Sequence, residues 1–242
     1  MNEPRFVDCH SHVVPSGDDG AATVDEGVQL CRSARRHGTR ILFATPHVWP
    51  HLTLTPQRER ELRRCYEAVA DRAELELRLG YELTPTAALL DEDPHRYVLE
   101  GTDVVLMEVP FTGPVGPLVA LAEHVESAGL QPLIAHPERT EAILGDPGLA
   151  VELSERGWSL QVNGTSLLGH HGSDAEEIAW TLVEGGRAAV VASDGHRATR
   201  PPHLDAAFEA VAARLGEDAA LPLFDGGAVG LARIRRVTAR TA

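Results

Sequence analysis

Histidine and carboxylate residues recur along this sequence at spacings that suit metal binding. His10 and His12 stand in the stretch DCHSH, and Asp194 and His196 stand in SDGH, so one residue separates the members of each pair. In a β-strand this spacing places both side chains on the same face. Each pair could therefore chelate one ion or bridge two neighbouring ions.

Ligand-type residues stand near the carboxyl ends of six of the seven predicted strands. The strands are short apolar runs at residues 5–12, 40–47, 76–83, 103–110, 131–138, 159–166 and 188–196. The candidate ligands are His10, His12, His47, Glu82, Glu108, His136, Asp194 and His196, with Asp19 in the turn DDG after the first strand. The sixth strand offers none and ends at Asn163. This set is too large for one ion, so we expect two or three.

The chemistry of these side chains narrows the choice of metal and of substrate. Imidazole and carboxylate ligands without thiolate suit Mn²⁺, Fe or Zn²⁺. Arg139 directly follows the stretch AHPE, and Arg200 lies four residues beyond His196. One guanidinium group can donate hydrogen bonds to two phosphate oxygens at once, so both arginines are candidates for binding an anionic substrate. His196 or an acidic neighbour could also supply a proton to a leaving group.

A single histidine in a strand is more often a core or surface residue than a ligand, and only the clustering of eight candidates at one end of a sheet argues otherwise. The pair His170–His171 follows the sixth strand and could reach the same end of the sheet. Cys9 alternates with the histidines, so we expect it between strand and helix. Histidines on predicted helices or loops are expected at the surface; these are His37, His51, His95, His124 and His203.

Helical patterns separate the strands. Thr23 and Glu26 have the spacing of a capping box, and Gly38 stands where that helix would end. Further helical patterns cover residues 56–73, 114–129, 174–186 and 203–215, whereas 139–157 is less regular. Alternating strands and helices favour a parallel sheet, and seven units can close a barrel. The alternative, an open doubly wound sheet, lacks its glycine-rich turn after the first strand. We expect one α/β domain over residues 1–242.

The composition excludes several classes of function. The 242 residues carry a net charge of −14, which disfavours nucleic acid and anionic membranes as partners. All 22 basic residues are arginine, which excludes a Walker P-loop, a Schiff-base lysine and the lysine-bridged metal site of amidohydrolases. Three cysteines without paired spacing, no membrane-spanning apolar run and an N-terminus unlike a signal peptide lead us to expect a cytoplasmic protein.

An ordered set of motifs resembles a known superfamily. The stretches are DCHSHVVPSGDDG, ATPH, GYE, MEVP, AHPER, LQVNGTSLLGHHG and ASDGHRATRPP. In this order they resemble the polymerase-and-histidinol-phosphatase (PHP) superfamily, and within it the bacterial manganese-dependent tyrosine-protein phosphatases of the CpsB/CapC type. The resemblance implies a distorted (β/α)7 barrel with a trinuclear metal centre. It also implies that the nine candidate ligands bind metal, with Mn²⁺ as the expected ion, and that Arg139 and Arg200 bind phosphate.

The resemblance implies hydrolysis of phosphotyrosine, with the tyrosine-rich tail of a bacterial autokinase that controls capsule or exopolysaccharide synthesis as the substrate. Two alternatives stay open: a small-molecule phosphatase, such as one acting on histidinol phosphate, and a non-catalytic metal-binding scaffold. The sequence departs from relatives at Tyr81, which we expect to narrow the rim of the pocket, and in WPHLTLT, residues 49–55, which we expect to affect substrate choice. The oligomeric state is left open.

Overall fold

The computed structural model describes residues 5–231. The start of the N-terminal stretch, residues 1–4, and residues 232–242 lie outside this range. The strands are β1 (Phe6–Asp8), β2 (Thr39–Ala44), β3 (His47–Val48), β4 (Glu76–Leu79), β5 (Glu82–Leu83), β6 (Val104–Glu108), β7 (Gln131–Ala135), β8 (Ser159–Asn163) and β9 (Ala188–Ala192). Neighbouring strands pair in parallel, in the orders β1-β2-β4 and β3-β5-β6-β7-β8-β9.

The two sheets are parts of one barrel. β2 continues into β3 after a short break, and β4 continues into β5 in the same way. The backbone stays bonded across these breaks, since the amide of Gly80 donates to the carbonyl of Ala44 at 2.9 Å. The first and last strands also meet, because the amide of His12 donates to the carbonyl of Gly195 at 2.7 Å. The predicted seven strands and the distorted (β/α)7 barrel are therefore confirmed.

Helices connect the strands on the outside of the barrel. α1 begins as predicted, since the Thr23 side chain accepts a hydrogen bond from the amide of Glu26 at 3.2 Å. The irregular stretch 139–157 contains two short helices. The helices are α1 (Val24–Arg36), α2 (Pro56–Ala70), α3 (Gly116–Ser127), α4 (Glu141–Gly145), α5 (Gly148–Glu155), α6 (Gly164–Leu167), α7 (Ser173–Glu184), α8 (Asp205–Leu215) and α9 (Glu217–Ala220). Within residues 5–231, no helix is long and apolar enough to cross a bilayer.

The barrel has an apolar interior and an apolar outer layer. The interior cluster takes alternate residues from the strands, such as Phe43, Leu106 and Leu133, and among residues 5–231 no α-helix contributes to it. Cys9 belongs to this interior cluster, so the prediction that it lies between strand and helix is wrong. Val7 lies in the same cluster, so the alternation of β1 itself carries Cys9 to the inner face. The strand ends at Asp8, and His10 and His12 beyond it no longer follow that alternation.

Candidate metal centre and active site

The predicted ligands meet at the carboxyl ends of the strands, around the carboxylate of Glu82. Its Oε2 atom lies 3.1 Å from Nε2 of His10, 3.2 Å from Nε2 of His12 and 3.0 Å from Nδ1 of His47. Its Oε1 atom lies 3.0 Å from Nε2 of His136. Glu82 is fully buried, so one carboxylate contacts four imidazoles away from water.

Asp194 forms a second centre beside the first. Its Oδ1 atom lies 3.5 Å from Nε2 of His10, 3.4 Å from Nε2 of His12 and 3.4 Å from Nδ1 of His196. Asp19 completes the set from its loop, with Oδ1 3.2 Å from Nε2 of His196. The Asp19 side chain is 61% exposed, so it approaches the cluster from the open side.

Glu108 stands at the end of β6 and lines the same cavity. It is nearly buried, and the Thr84 hydroxyl donates a hydrogen bond to its Oε1 atom. Burial and the neighbouring Glu82 carboxylate raise the pKa of Glu108 to about 8. In the absence of cations, Glu108 therefore holds a proton at neutral pH.

Two of the predicted ligands have unusual backbone conformations. His136 has a φ of 32° and Asp194 has a φ of 52°, both in the left-handed region that most residues avoid. Hydrogen bonds hold both, since the amide of His136 donates to the carbonyl of Gln161 and the amide of Asp194 to that of His10. Such conformations cost energy and concentrate at functional sites. They turn both side chains towards the cluster where the strands end.

The buried donor atoms of the cluster fit a metal site. Several of them make no hydrogen bond within the described part of the chain: Nδ1 of His12, His47 and His136, Oε2 of Glu82 and Oε2 of Glu108. Buried polar atoms without a hydrogen bond are costly even where an ionic neighbour is close, as at Oε2 of Glu82, and metal ligation would satisfy them. Three groups have donor atoms within 4.8 Å of one another: His12, His47 and His196; His10, Glu82 and His136; and His10, His12 and Asp194. The cluster can therefore hold metal.

The pKa values of the two central carboxylates, Glu82 and Asp194, also favour metal binding. Burial alone would raise the pKa of Glu82, but His10 and His47 hold that pKa well below its ordinary value. Burial is likewise outweighed at Asp194, where His10, His12 and other cationic neighbours hold the pKa well below its usual range. Both carboxylates are thus ionised at neutral pH, which is the form that binds cations.

A cavity of about 160 Å³ opens above the cluster. Arg139 and Arg200 both line it, as the sequence predicted for anion-binding residues. Arg139 Nη1 lies 2.5 Å from Oδ2 of Asp194, and Arg200 contacts Nδ1 of His196. Ten side chains line the cavity: Asp19, His47, Trp49, Glu108, Phe111, His136, Arg139, Asp194, His196 and Arg200.

The sequence reasoning missed a chain of amides beneath the ligands. Gln161 Oε1 lies 2.8 Å from Nδ1 of His10, and Gln161 Nε2 donates to Asn163 Oδ1 at 2.7 Å. Asn163 Nδ2 in turn donates to Oδ2 of Asp194 at 2.9 Å. This chain links the first and last strands through β8. Its signal in the sequence was two buried amides one residue apart in LQVN, on the one strand without a ligand.

The outcomes at the other singled-out positions differ. Tyr81 is 2% exposed and packs edge-on against Tyr97, with ring centroids 5.8 Å apart, so it does not narrow the rim and that prediction is wrong. Its neighbour Glu82 takes the inward face of the strand, which turns Tyr81 outward. His171 hydrogen-bonds Thr165 at 2.9 Å, and burial and the charges of Arg139 and Arg200 lower its pKa to about 4.

The comparisons with known proteins decide the family. The family model described as capsular polysaccharide synthesis, CpsB/CapC, matches residues 6–230. The chain belongs to this family. It is 29% identical over 222 residues to the tyrosine-protein phosphatase YwqE of Bacillus subtilis, covering 88% of this chain and 86% of that protein. It is 27% identical over 232 residues to the tyrosine-protein phosphatase CpsB of Streptococcus agalactiae, covering 90% and 95%.

Solved structures agree with this CpsB/CapC assignment. The chain resembles a crystal structure from work on YwqE of Bacillus subtilis and CpsB of Streptococcus pneumoniae, described as unique metal-dependent tyrosine phosphatases. The TM-score is 0.77 at 26% identity, over 90% of this chain and 91% of that one. The phosphotriesterase homology protein of Escherichia coli shares the fold alone, with a TM-score of 0.58 at 10% identity over 95% and 99% of the chains. The predicted family is confirmed, and the predicted activity is the one these relatives carry in their names.

Proposed function

We propose that this protein is a metal-dependent phosphatase that hydrolyses phosphotyrosine in proteins. The observation that carries the proposal is that Arg139 and Arg200 line the same cavity as the buried cluster of histidines and carboxylates. Metal ligands and anion-binding groups on one cavity suit hydrolysis of a phosphomonoester. The activity in the names of the relatives supports the same reaction.

The proposed ligands are His10, His12, Asp19, His47, Glu82, Glu108, His136, Asp194 and His196, for two or three divalent ions. Mn²⁺ is the proposed metal, with Fe or Zn²⁺ as alternatives that the same nitrogen and oxygen donors accept. Bound ions would lower the pKa of water and balance the charge of the phosphate. Glu108 must lose its proton to become a ligand, because its pKa is raised to about 8.

The side chains around the cavity orient the substrate. Arg139 and Arg200 donate to the phosphate oxygens, and Asp194 aligns Arg139 through the 2.5 Å contact with its Nη1 atom. Burial and the charge of His12 lower the pKa of His196, which favours its neutral imidazole form. A phenol leaving group has a pKa of about 10 and needs less protonation than an alkoxide, so a weak proton donor suffices.

The substrate proposed for this site is the phosphorylated tyrosine-rich tail of a bacterial tyrosine autokinase that regulates capsule or exopolysaccharide synthesis. The family description supports a role in capsular polysaccharide synthesis. An extended tail can bring its side chain into an open cavity that a folded surface would not enter. We further propose that residues 1–242 form a single cytoplasmic domain, with no nucleic-acid partner.

Metal-stripped protein reloaded with Mn²⁺, Fe²⁺, Zn²⁺ or Co²⁺ tests the proposal. We expect turnover of a phosphotyrosine peptide with at least one of these ions and none without metal. Histidinol phosphate is assayed beside the peptide, and a tenfold preference for it would instead establish a small-molecule phosphatase. Reloaded protein that hydrolyses neither compound while its metal-free form still binds the kinase would establish a scaffold.

A further inference from the structure

A row of aromatic rings runs beneath the cavity, and several of the rings line it. The inner four rings are the imidazoles of His47, His12, His10 and His136, all proposed metal ligands. Trp49 and Phe111 flank these four rings, and both line the cavity. His51 stacks on Trp49 with ring centroids 5.3 Å apart and does not line the cavity. Successive ring centroids lie 4.2 Å apart for Trp49 and His47, 4.2 Å for His47 and His12, 5.2 Å for His12 and His10, 5.4 Å for His10 and His136, and 5.6 Å for His136 and Phe111.

We propose that Trp49 and Phe111 are specificity-determining walls that recognise the aromatic ring of the substrate. The site would then select aryl phosphomonoesters over alkyl ones by contact with the ring, in addition to the better leaving group. This inference rests on the phosphatase function proposed for the same cavity. It assigns a role to two residues that bind neither metal nor phosphate.

Neither residue serves the hydrophobic core. Among the described residues, both rings lie outside the hydrophobic clusters of the barrel and its helices. Phe111 is 44% exposed although it lies at the mouth of a highly charged cavity. A single exposed apolar residue needs no explanation. Here two aromatic rings outside the hydrophobic clusters flank the row of ligands at one cavity, and this shared position calls for a function.

The geometry of an aryl phosphate fits these positions. The guanidinium carbon of Arg139 lies 5.2 Å from the centroid of the Phe111 ring. A phenyl ring is joined to phosphorus through one oxygen, so a phosphate bound by Arg139 brings that ring close to Phe111. Aromatic pairs prefer offset or edge-to-face contact, which a substrate ring beside Phe111 can adopt. A phosphoserine side chain has no flat surface for such contact.

Binding of two phosphonates that cannot be hydrolysed tests the proposal without relying on turnover. Phenylphosphonate and methylphosphonate are titrated calorimetrically into the metal-loaded full chain and into Phe111→Ala, Trp49→Ala and Phe111→Tyr. We expect the wild-type protein to bind phenylphosphonate at least about 5-fold more tightly than methylphosphonate. Each alanine variant should lower this ratio of affinities about 3-fold. Phe111→Tyr keeps a ring and should keep the ratio.

Leu144→Ala is the matched control, because Leu144 is similarly exposed and lines a separate groove. A wild-type ratio near one, an unchanged ratio in both alanine variants, or an equal loss in Leu144→Ala would overturn the proposal. Turnover of a phosphotyrosine peptide is measured on the same preparations. If turnover is absent while the preference for phenylphosphonate still depends on Trp49 and Phe111, the phosphatase proposal fails. The proposed role of these two residues in binding an aromatic ring is then retained.

Discussion

The Oε1 atom of Gln161 lies 2.8 Å from Nδ1 of His10. Only a protonated Nδ1 can donate to that oxygen, so the other nitrogen, Nε2, is free of its proton in the neutral ring. Nε2 is the atom that faces Glu82 and His12 at the centre of the cluster. Gln161 therefore sets both the tautomer and the orientation of the His10 ring.

Replacing Gln161 by leucine should weaken metal binding. The variant keeps the volume but loses the acceptor, and the loss of a partner of this kind typically costs about 10- to 100-fold in metal affinity. Competition with a chelator measures the effect. Gln57→Leu makes the same change at an exposed position on α2 and should leave the affinity unchanged. Wild-type affinity in Gln161→Leu would show that the His10 ring is oriented without Gln161.

Arg200 should contribute to substrate binding through its charge and through bidentate hydrogen bonds from its guanidinium group. Its side chain is 28% exposed at the cavity, so it is available to the phosphate. We expect Arg200→Gln to lower kcat/KM for a phosphotyrosine peptide about 10- to 100-fold, the equivalent of one hydrogen bond to a charged group. Arg200→Lys should recover part of the loss. Arg187→Gln removes a similar charge away from the cavity, and an equal loss there would contradict this role.

Gly20 should be intolerant of any side chain. A Cβ atom at this position would lie 2.4 Å from the carbonyl oxygen of His12 and 2.6 Å from its Cβ atom. Gly20→Ala should therefore displace His12 or the Asp18–Asp19 turn, destabilise the protein by about 1–3 kcal/mol and weaken metal binding. Thermal unfolding and chelator competition measure both effects. Gly116→Ala, where a Cβ meets nothing within 4 Å, should be neutral, and equal tolerance at both sites would refute the prediction.

The stability of the protein should fall between pH 7 and pH 5, partly through His203. Its ring stacks on His37 at 3.7 Å and its Nε2 atom lies 2.8 Å from Oγ of Ser33. Burial and the charge of His37, only partly offset by Asp205, lower the pKa of His203 from 6.5 to about 4. The unfolded chain thus takes up the proton first, and the stabilisation present above pH 6.5 is lost as the pH falls towards 4.

Urea unfolding at pH 7.5 and pH 5 measures this loss. Between pH 7.5 and pH 5 the free energy of unfolding should fall by about 1 kcal/mol more in the wild-type protein than in His203→Gln. This value takes into account that solvent screens the partly exposed ring. His95→Gln changes an exposed histidine and should behave as the wild type does. If His203→Gln loses as much stability as the wild type, another group is responsible for the pH dependence.

Local sequence patterns predicted most of the scaffold. Strand and helix periodicities depend only on neighbours along the chain, so seven strands, the capping of α1 by Thr23 and the parallel barrel could be predicted without a structure. The carboxyl ends of parallel strands meet at one end of a barrel. The order of strands and helices was therefore enough to predict that His47, Glu82 and Glu108 lie near one another. Their roles as metal ligands remain predictions.

Tertiary structure decided what depends on the exact path of the backbone. β1 ends at Asp8, and this early end frees His10 and His12 from the strand alternation that places Cys9 inside the barrel with Val7. Tyr81 points into the apolar outer layer beside Tyr97, and the amide chain from His10 through Gln161 to Asp194 joins strands far apart in sequence. Residue types and spacing determined which side chains could bind metal and phosphate. Closure of the barrel decided which atoms face one another, because it brings together residues that no local pattern connects.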